Sequence, residues 1–286
     1  MQLILNLTPT GMVPVKAMTP HVPVSVDEII TNVRFCHSEY GITMLHLHAR
    51  DGAGLPTHRA DVYAQLIGGI RDFAPDLVIC VSLSGRTVSN VELRADSILR
   101  LKDDLKPDMG SLTLSSLNFT KQASINSPDT VQTLAQMMLD NGVMPELEIF
   151  DLGMANYANY LIMRGLLQPP YYANFFLGNI AGAQLDLAHA GIMLRDLMHL
   201  ETFWSFGGIG DAQLGANTLA IATDGGVRTG LEDNIYFDRG RKVLATNELL
   251  VGRIHRLAAL FERPVMTPLE LRNLLKLKPG NGSYGR

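Results

Sequence analysis

The sequence predicts an α/β chain folded as a (β/α)8 TIM barrel, and three observations carry that prediction. About eight short apolar runs alternate with stretches of helical period along the chain. The length of 286 residues suits one such domain, taken as 1–286 with a C-terminal helical extension. Several runs end in loops of Gly, Ser, His and charged residues, at the strand ends where barrels build active sites. A doubly wound sheet is the competing architecture, because short apolar runs alone do not separate the two.

A first strand is expected over 2–8, followed by a loop punctuated by Pro9, Gly11, Pro14, Pro20 and Pro23. Ser25 caps a helix over 26–40 with Glu28 as its capping-box partner, and Gly41 ends it. Strand two runs from Ile42 to His46 and His48. Residues 59–73 read as helix and 77–82 as a β-rich third strand. Helix 91–101 and strand 109–114 come next, and Ser127-Pro128 starts a helix that reaches Asn141-Gly142. Residues 146–150 alternate acidic and apolar, as a barrel-lining strand does. Helix 157–165, strand 172–177 and helix 186–199 continue the alternation. A strand over 202–206 runs into Gly207-Gly208-Ile209-Gly210, a helix occupies 212–222, and Gly225-Gly226-Val227-Arg228 begins the last strand. Helix 247–261 and a final helix capped by Thr267-Pro268-Leu269-Glu270 complete the pattern.

Hydrophobic residues are 47% and charged residues 18%, which favours a well-buried core and argues against disorder. Sparse charge also points to surface buried between subunits. A net charge of -4 gives no reason to expect nucleic acid as a partner. No basic segment leads into an apolar stretch at the N-terminus, and no run reaches the roughly 18 apolar residues of a membrane span. Neither a signal peptide nor a membrane partner is expected. Cys36 and Cys80 read as buried thiols in a reducing compartment, taken as the cytoplasm.

The chemistry is expected around His46-Leu47-His48. Side chains two apart on a strand share a face, as two imidazoles gripping one metal ion must. The same spacing also suits ordinary hydrogen-bonded histidines. A catalytic zinc takes three protein ligands and keeps one position open. The third is sought in the segment from Val227 to Asn234, where strand eight should end. That strand closes against strand one, beside strand two, so Glu232 or Asp233 can reach the histidines; a solvated turn is the competing reading. Ser82, Ser84, Gly85 and Arg86 can bind a carboxylate through hydroxyls, amides and a guanidinium, or form a plain turn with a surface arginine. Gly207-Gly208-Ile209-Gly210 lies where barrels often bind phosphate, but lacks the spacing of a dinucleotide fingerprint. Trp204 and Phe206 read as core. Glu146 and Glu148 share one face, either lining the barrel or solvated. His37, His189, His199 and His255 are assigned to surface or local hydrogen bonds, and His21 and His58 stay open.

These motifs resemble those of the β-keto acid cleavage enzymes, whose founding activity is 3-keto-5-aminohexanoate cleavage. The likeness covers nearly the whole chain. It rests on His46-Leu47-His48-Ala49-Arg50-Asp51, Cys80-Val81-Ser82-Leu83-Ser84-Gly85, Pro145-Glu146-Leu147-Glu148-Ile149-Phe150 and Arg228-Thr229-Gly230-Leu231-Glu232-Asp233-Asn234. Asn247-Glu248-Leu249-Leu250 and Thr267-Pro268-Leu269-Glu270 match the family's C-terminal pattern. The resemblance implies a (β/α)8 barrel assembled as a homo-oligomer, taken as a tetramer. It implies that His46, His48 and Glu232 match zinc ligands, Asp233 the catalytic carboxylate and Arg228 its arginine helper. Ser82 and Gly85 match residues that hold the keto acid. Ser111 and Thr113 fall where further substrate contacts lie, in a segment that usually carries asparagine near Thr113.

By the same resemblance, the partners are a small-molecule β-keto acid and acetyl-CoA as co-substrate, converted to acetoacetate and a new acyl-CoA. Zinc would act as a Lewis acid, Asp233 would take a proton from C2, and a retro-Claisen step would release acetoacetate. Arg228 is expected to lower the pKa of Asp233 and so weaken it as a base. One departure stands out. The aminohexanoate enzyme has a first-loop glutamate for its substrate's amino group, whereas Thr10-Gly11-Met12-Val13-Pro14 holds no carboxylate. An apolar or hydroxylated acyl tail is therefore expected, or an acidic one if the loop turns Lys16 inward. The main alternative is a CoA-independent, metal-dependent aldolase or decarboxylase acting through an enolate. A metallohydrolase is weaker, as is a structural zinc scaffold, since structural zinc normally has four protein ligands. The donor set also suits manganese, cobalt or iron.

Overall fold

Alternating positions along the strand runs become inward and outward rows of a closed parallel barrel. The structure, a computed structural model, describes residues 1–197, 200–278 and 282–285. Its barrel strands are β1 (Leu5–Leu7), β2 (Met44–Leu47), β3 (Val78–Val81), β4 (Met109–Thr113), β5 (Met144–Ile149), β6 (Tyr171–Leu177), β7 (Thr202–Gly208) and β8 (Gly226–Thr229). Each pairs with its neighbours in sequence, and β1 closes the ring between β2 and β8. The register sets Asn6 beside Arg228 and His46 beside Cys80. The expected (β/α)8 barrel is thus the observed one, and the doubly wound alternative falls.

Outward-facing Leu5, Leu45, Leu47, Ile79 and Val81 pack into the main apolar core under the surrounding helices. Inward-facing Ile4, Met44, Val78, Met109 and Met144 fill one end of the barrel. The helices are α1 (Val26–Tyr40), α2 (Ala60–Arg71), α3 (Val91–Arg94), α4 (Asp96–Arg100), α5 (Pro128–Asn141), α6 (Leu152–Met163), α7 (Leu187–Arg195), α8 (Ala212–Ala222), α9 (Asn247–Leu260) and α10 (Pro268–Leu275). Both expected capping boxes form, Ser25 with Glu28 and Thr267 with Glu270. Leu271 and Leu275 of α10 join the inward-facing cluster and cover the barrel's N-terminal end.

Four elements differ from the sequence reading. β1 is shorter than 2–8, because Leu3 instead bridges to Val265 on the approach to α10. Helix 91–101 divides at Ala95, whose ψ of 5° breaks the turn between α3 and α4. α6 begins well before Tyr157: Asp151 caps it by accepting from Met154 N at 2.9 Å, and apolar residues all round the helix hid its start. α7 ends at Arg195, and His199 lies outside the described residues. Among the described residues, no helix is long and apolar enough to cross a membrane.

Candidate metal centre and active-site cavity

Period-two geometry turns His46, on β2, and His48, just beyond it, to the same side, with their Nε2 atoms 3.2 Å apart. The loop after β8 meets them. Glu232 Oε1 lies 3.0 Å from His48 Nε2 and accepts from Arg228 Nη2 at 2.9 Å. Gly11, at φ +68°, lets the first loop press on this carboxylate: a methyl group there would stand 2.6 Å from Glu232 Cγ. Arg228 also donates through Nε to Asp233 Oδ2 at 3.2 Å and through Nη2 to Oδ1 at 3.4 Å. The Gly207–Gly210 stretch braces this loop, with Gly210 N donating to Asp233 O at 2.8 Å, and Gly210 lines the cavity.

Beneath the histidines lies a partner that sequence reasoning did not assign. Glu146 on β5 is fully buried and faces His46 Nδ1 through Oε2. Its other partners are Asn6 Nδ2 at 2.8 Å, Asn174 Nδ2 at 2.6 Å and Cys80 Sγ at 3.1 Å. Burial alone would raise Glu146, but the charge of His46 overrides it and holds the carboxylate at about 2. Burial opposes a charge on His46, yet Glu146 raises its pKa above the ordinary value. Burial brings His48 down to about 4 against the pull of Glu232. Glu232 would rise with burial, but His48 and Arg228 hold it well below the usual carboxylate range. Asp233 corrects an expectation. Burial lifts it to about 6 in spite of Arg228, because losing water costs this carboxylate more than the guanidinium returns.

The donor set fits a divalent ion. The ligating atoms of His46, His48 and Glu232 lie within 4.8 Å of one another, and Glu232 Oε2 is buried with no hydrogen-bond partner. His46 is oriented by a carboxylate behind it, as metal-bound histidines usually are. A second grouping of His46, Cys80 and Glu146 is already satisfied internally, with the thiol and the imidazole both turned to Glu146.

Above these residues opens a cavity of about 680 Å³. Of the residues expected to hold substrate, Ser82 and Thr113 line it, and Thr113 Oγ1 donates to Glu148 Oε2 at 2.5 Å. Ser111 does not line it; its hydroxyl accepts from Leu83 N at 3.0 Å and shapes the loop after β3. Gly85 stands in the same loop at a place with no room for a side chain, which would run into Ile125 O and the Arg94 guanidinium. His58 is a further strut of this loop, with Nδ1 3.2 Å from Ser82 O. His189 and His255 make local hydrogen bonds with Gln184 N and Gly41 O, both at 3.1 Å.

The model of the beta-keto acid cleavage enzyme family matches residues 2–277. The chain is 32% identical over 281 residues to the 3-keto-5-aminohexanoate cleavage enzyme of Fusobacterium nucleatum, covering 97% of this chain and 98% of that one. It is also 32% identical over 276 residues to the 3-oxoadipate:acetyl-CoA acetyltransferase of Cupriavidus necator, covering 96% and 94%. Among solved structures, apo ObcA shares the fold with a TM-score of 0.73 at 17% identity, over 90% of this chain and 66% of that one. A family match running from β1 to α10, with relatives this similar along nearly their whole length, means that the chain belongs to the beta-keto acid cleavage enzymes and is an enzyme acting on β-keto acids.

Proposed function

We propose that this chain condenses a β-keto acid with acetyl-CoA in a zinc-dependent reaction and releases acetoacetate and a new acyl-CoA by a retro-Claisen route. The observation that carries the reading is the convergence of His46, His48 and Glu232 beside the Arg228–Asp233 pair at a cavity. Two imidazoles and one carboxylate are a donor set of the catalytic zinc kind, and the bound ion supplies Lewis acidity toward the keto oxygen.

Asp233 takes the proton from C2 of the keto acid. Its lift by burial to about 6 brings it close to the operating range of a general base. Arg228 fixes its orientation through both carboxylate oxygens. The C2 carbanion adds to the thioester carbonyl and the coenzyme A thiolate leaves. The thiolate then adds to C3, the C2–C3 bond breaks, and C2 takes its proton back from Asp233 as acetoacetate departs. Ser82 and Thr113 contact the keto acid, while Gly85 and Ser111 act through the loop they shape. Glu146 accepts the Nδ1 proton of His46 and leaves Nε2 as the ligating nitrogen.

Met12, Val13, Pro14 and Met18 of the first loop line the cavity without a carboxylate. Lys16 points elsewhere, to Glu28 Oε1 at 2.7 Å and Pro20 O at 3.3 Å. Both observations support an apolar or hydroxylated tail and disfavour an acidic tail paired with Lys16. The reading takes the chain as a cytoplasmic homo-oligomer, a tetramer, for which exposed Ile180, Leu187 and Leu260 offer apolar contact surface. The test is a coupled assay of metal-analysed protein with acetyl-CoA and a panel of β-keto acids, following acetoacetate and acyl-CoA. Glu232→Ala and His46→Ala should each lower turnover by roughly a thousandfold or more, with loss of the metal. Bound metal with no acetoacetate from any acid would favour a CoA-independent aldolase or decarboxylase.

A further inference from the structure

We propose that Arg86 binds the C1 carboxylate of the β-keto acid and is the residue that makes this cavity select acids over neutral ketones; the inference rests on the reading above for the identity of the acid. Arg86 lines the cavity beside Ser82 and Ser84. Its guanidinium carbon lies 3.7 Å from the centre of the Phe119 ring. Phe119 meets Phe150 edge-on at 5.9 Å, and Phe150 stacks on Phe176 at 4.4 Å. Arg228 covers the far end of this aromatic wall, 4.8 Å from Phe176. The wall therefore carries a guanidinium at each end, and the two differ in one respect. Arg228 is held by Asp233 and Glu232. Arg86 forms no ion pair among the described residues, and its Nε is buried with no partner.

The acidic groups that influence Arg86 are engaged with others. Glu232 is shared by His48 and Arg228, and Glu148 accepts from Thr113. A guanidinium stacked on a ring gives up none of its in-plane donors, so its fork stays available to a carboxylate. The backbone that presents it is braced from below. Arg94, 1% exposed, donates through Nε to Leu83 O at 2.7 Å and through Nη2 to Asn126 Oδ1 at 2.7 Å. His58 and Tyr63 both reach Ser82 O. Strand order gives the direction. The donor triad comes from β2 and β8, the apolar loop follows β1, and Arg86 follows β3 on the other side of β2. A keto acid with its keto oxygen at the triad and its tail at the first loop thus turns C1 toward Arg86.

The experiment compares binding of acetoacetate and its uncharged methyl ester to the zinc-loaded protein by calorimetry, with KM for both substrates measured alongside. The wild type should bind the acid more tightly than the ester by roughly 10- to 100-fold, the range for a hydrogen-bonded charge pair. Arg86→Met should erase that preference, Arg86→Lys should keep part of it, and added guanidinium should restore some to Arg86→Met. KM for acetyl-CoA should stay unchanged. An undiminished acid preference in a folded Arg86→Met protein would overturn the proposal. So would a loss falling on KM for acetyl-CoA, which would assign the cation to a coenzyme phosphate. Binding needs no turnover, so failure of the condensation assay would leave this measurement able to decide.

Discussion

The two ends of the barrel carry buried charge in opposite ways. At the N-terminal end, Arg272 of α10 and Asp108 meet in two parallel bonds, Nη1 to Oδ1 at 2.8 Å and Nη2 to Oδ2 at 2.9 Å. Arg272 also donates to Asp76 O at 2.6 Å and Leu77 O at 2.9 Å, and Ile79 N donates to Asp108 Oδ2 at 2.9 Å. At the C-terminal end, Glu232 Oε2, Arg228 Nη1 and Arg86 Nε are buried without partners. Each such group costs about 1–3 kcal/mol. At the top they gather beside the donor triad and the cavity, whereas at the bottom Asp108 pairs with both Arg272 and Arg71, and the cluster leaves Arg71 Nε as its unpartnered atom among the described residues. That is the division of labour expected of a barrel, stability at the bottom and chemistry at the top.

The contrast is broken most severely at the bottom. Asp108→Ala strands two buried cations that share its carboxylate, Arg272 and Arg71, and should cost roughly 3–5 kcal/mol of stability, read as a lower melting temperature. Turnover per folded molecule and zinc content should not change. Replacing Arg272 by Met as well should recover part of the loss, because one of the two stranded charges goes with it while Arg71 still lacks the Asp108 carboxylate. Zinc loss in the folded single variant would mean that the two ends are coupled, and the division would fail.

A smaller effect at the top sharpens it. Glu146→Gln removes the carboxylate behind His46 while nearly preserving its shape. Zinc affinity, measured by competition with a chromophoric chelator, should fall roughly 10- to 100-fold. Asp108→Ala should leave the same measurement unmoved. An unchanged affinity in Glu146→Gln would reduce Glu146 to a packing residue.

What was legible in the sequence was mainly what local geometry dictates. His46 and His48 share a face because a strand repeats every two residues, and β1 between β2 and β8 brings Glu232 to them. Glu146 and Glu148 were recognisable as one face of a strand, but nothing local says that His46, a hundred positions earlier, completes Glu146. That pairing depends on all the intervening strands lying in order round the barrel. Asn6 and Asn174, which satisfy the same carboxylate, were silent for the same reason. The pKa of Asp233 was misjudged because an arginine five positions earlier is visible in sequence and burial is not. Arg86 stood next to the right serines, but only the Phe119 ring beneath it separates a held guanidinium from a surface one.

The least effect is expected where the top of the barrel is most open. Met12 is half-buried in the cavity wall, in a loop without a carboxylate. A neutral tail loses only water on reaching that wall, whereas an ammonium loses its hydration and finds no partner. The wild type should therefore use neutral-tailed keto acids in preference to the 5-amino acid. Met12→Glu should improve kcat/KM for the amino substrate relative to a neutral one by roughly three- to tenfold, the scale of a partly solvated ion pair. The gain stays small because water screens the pair and a flexible tail must be ordered to make it. Zinc affinity should not move, since Met12 belongs to neither the donor triad nor the Glu146 network. A wild-type preference for the 5-amino acid would remove the apolar-tail reading without bearing on the proposed metal site.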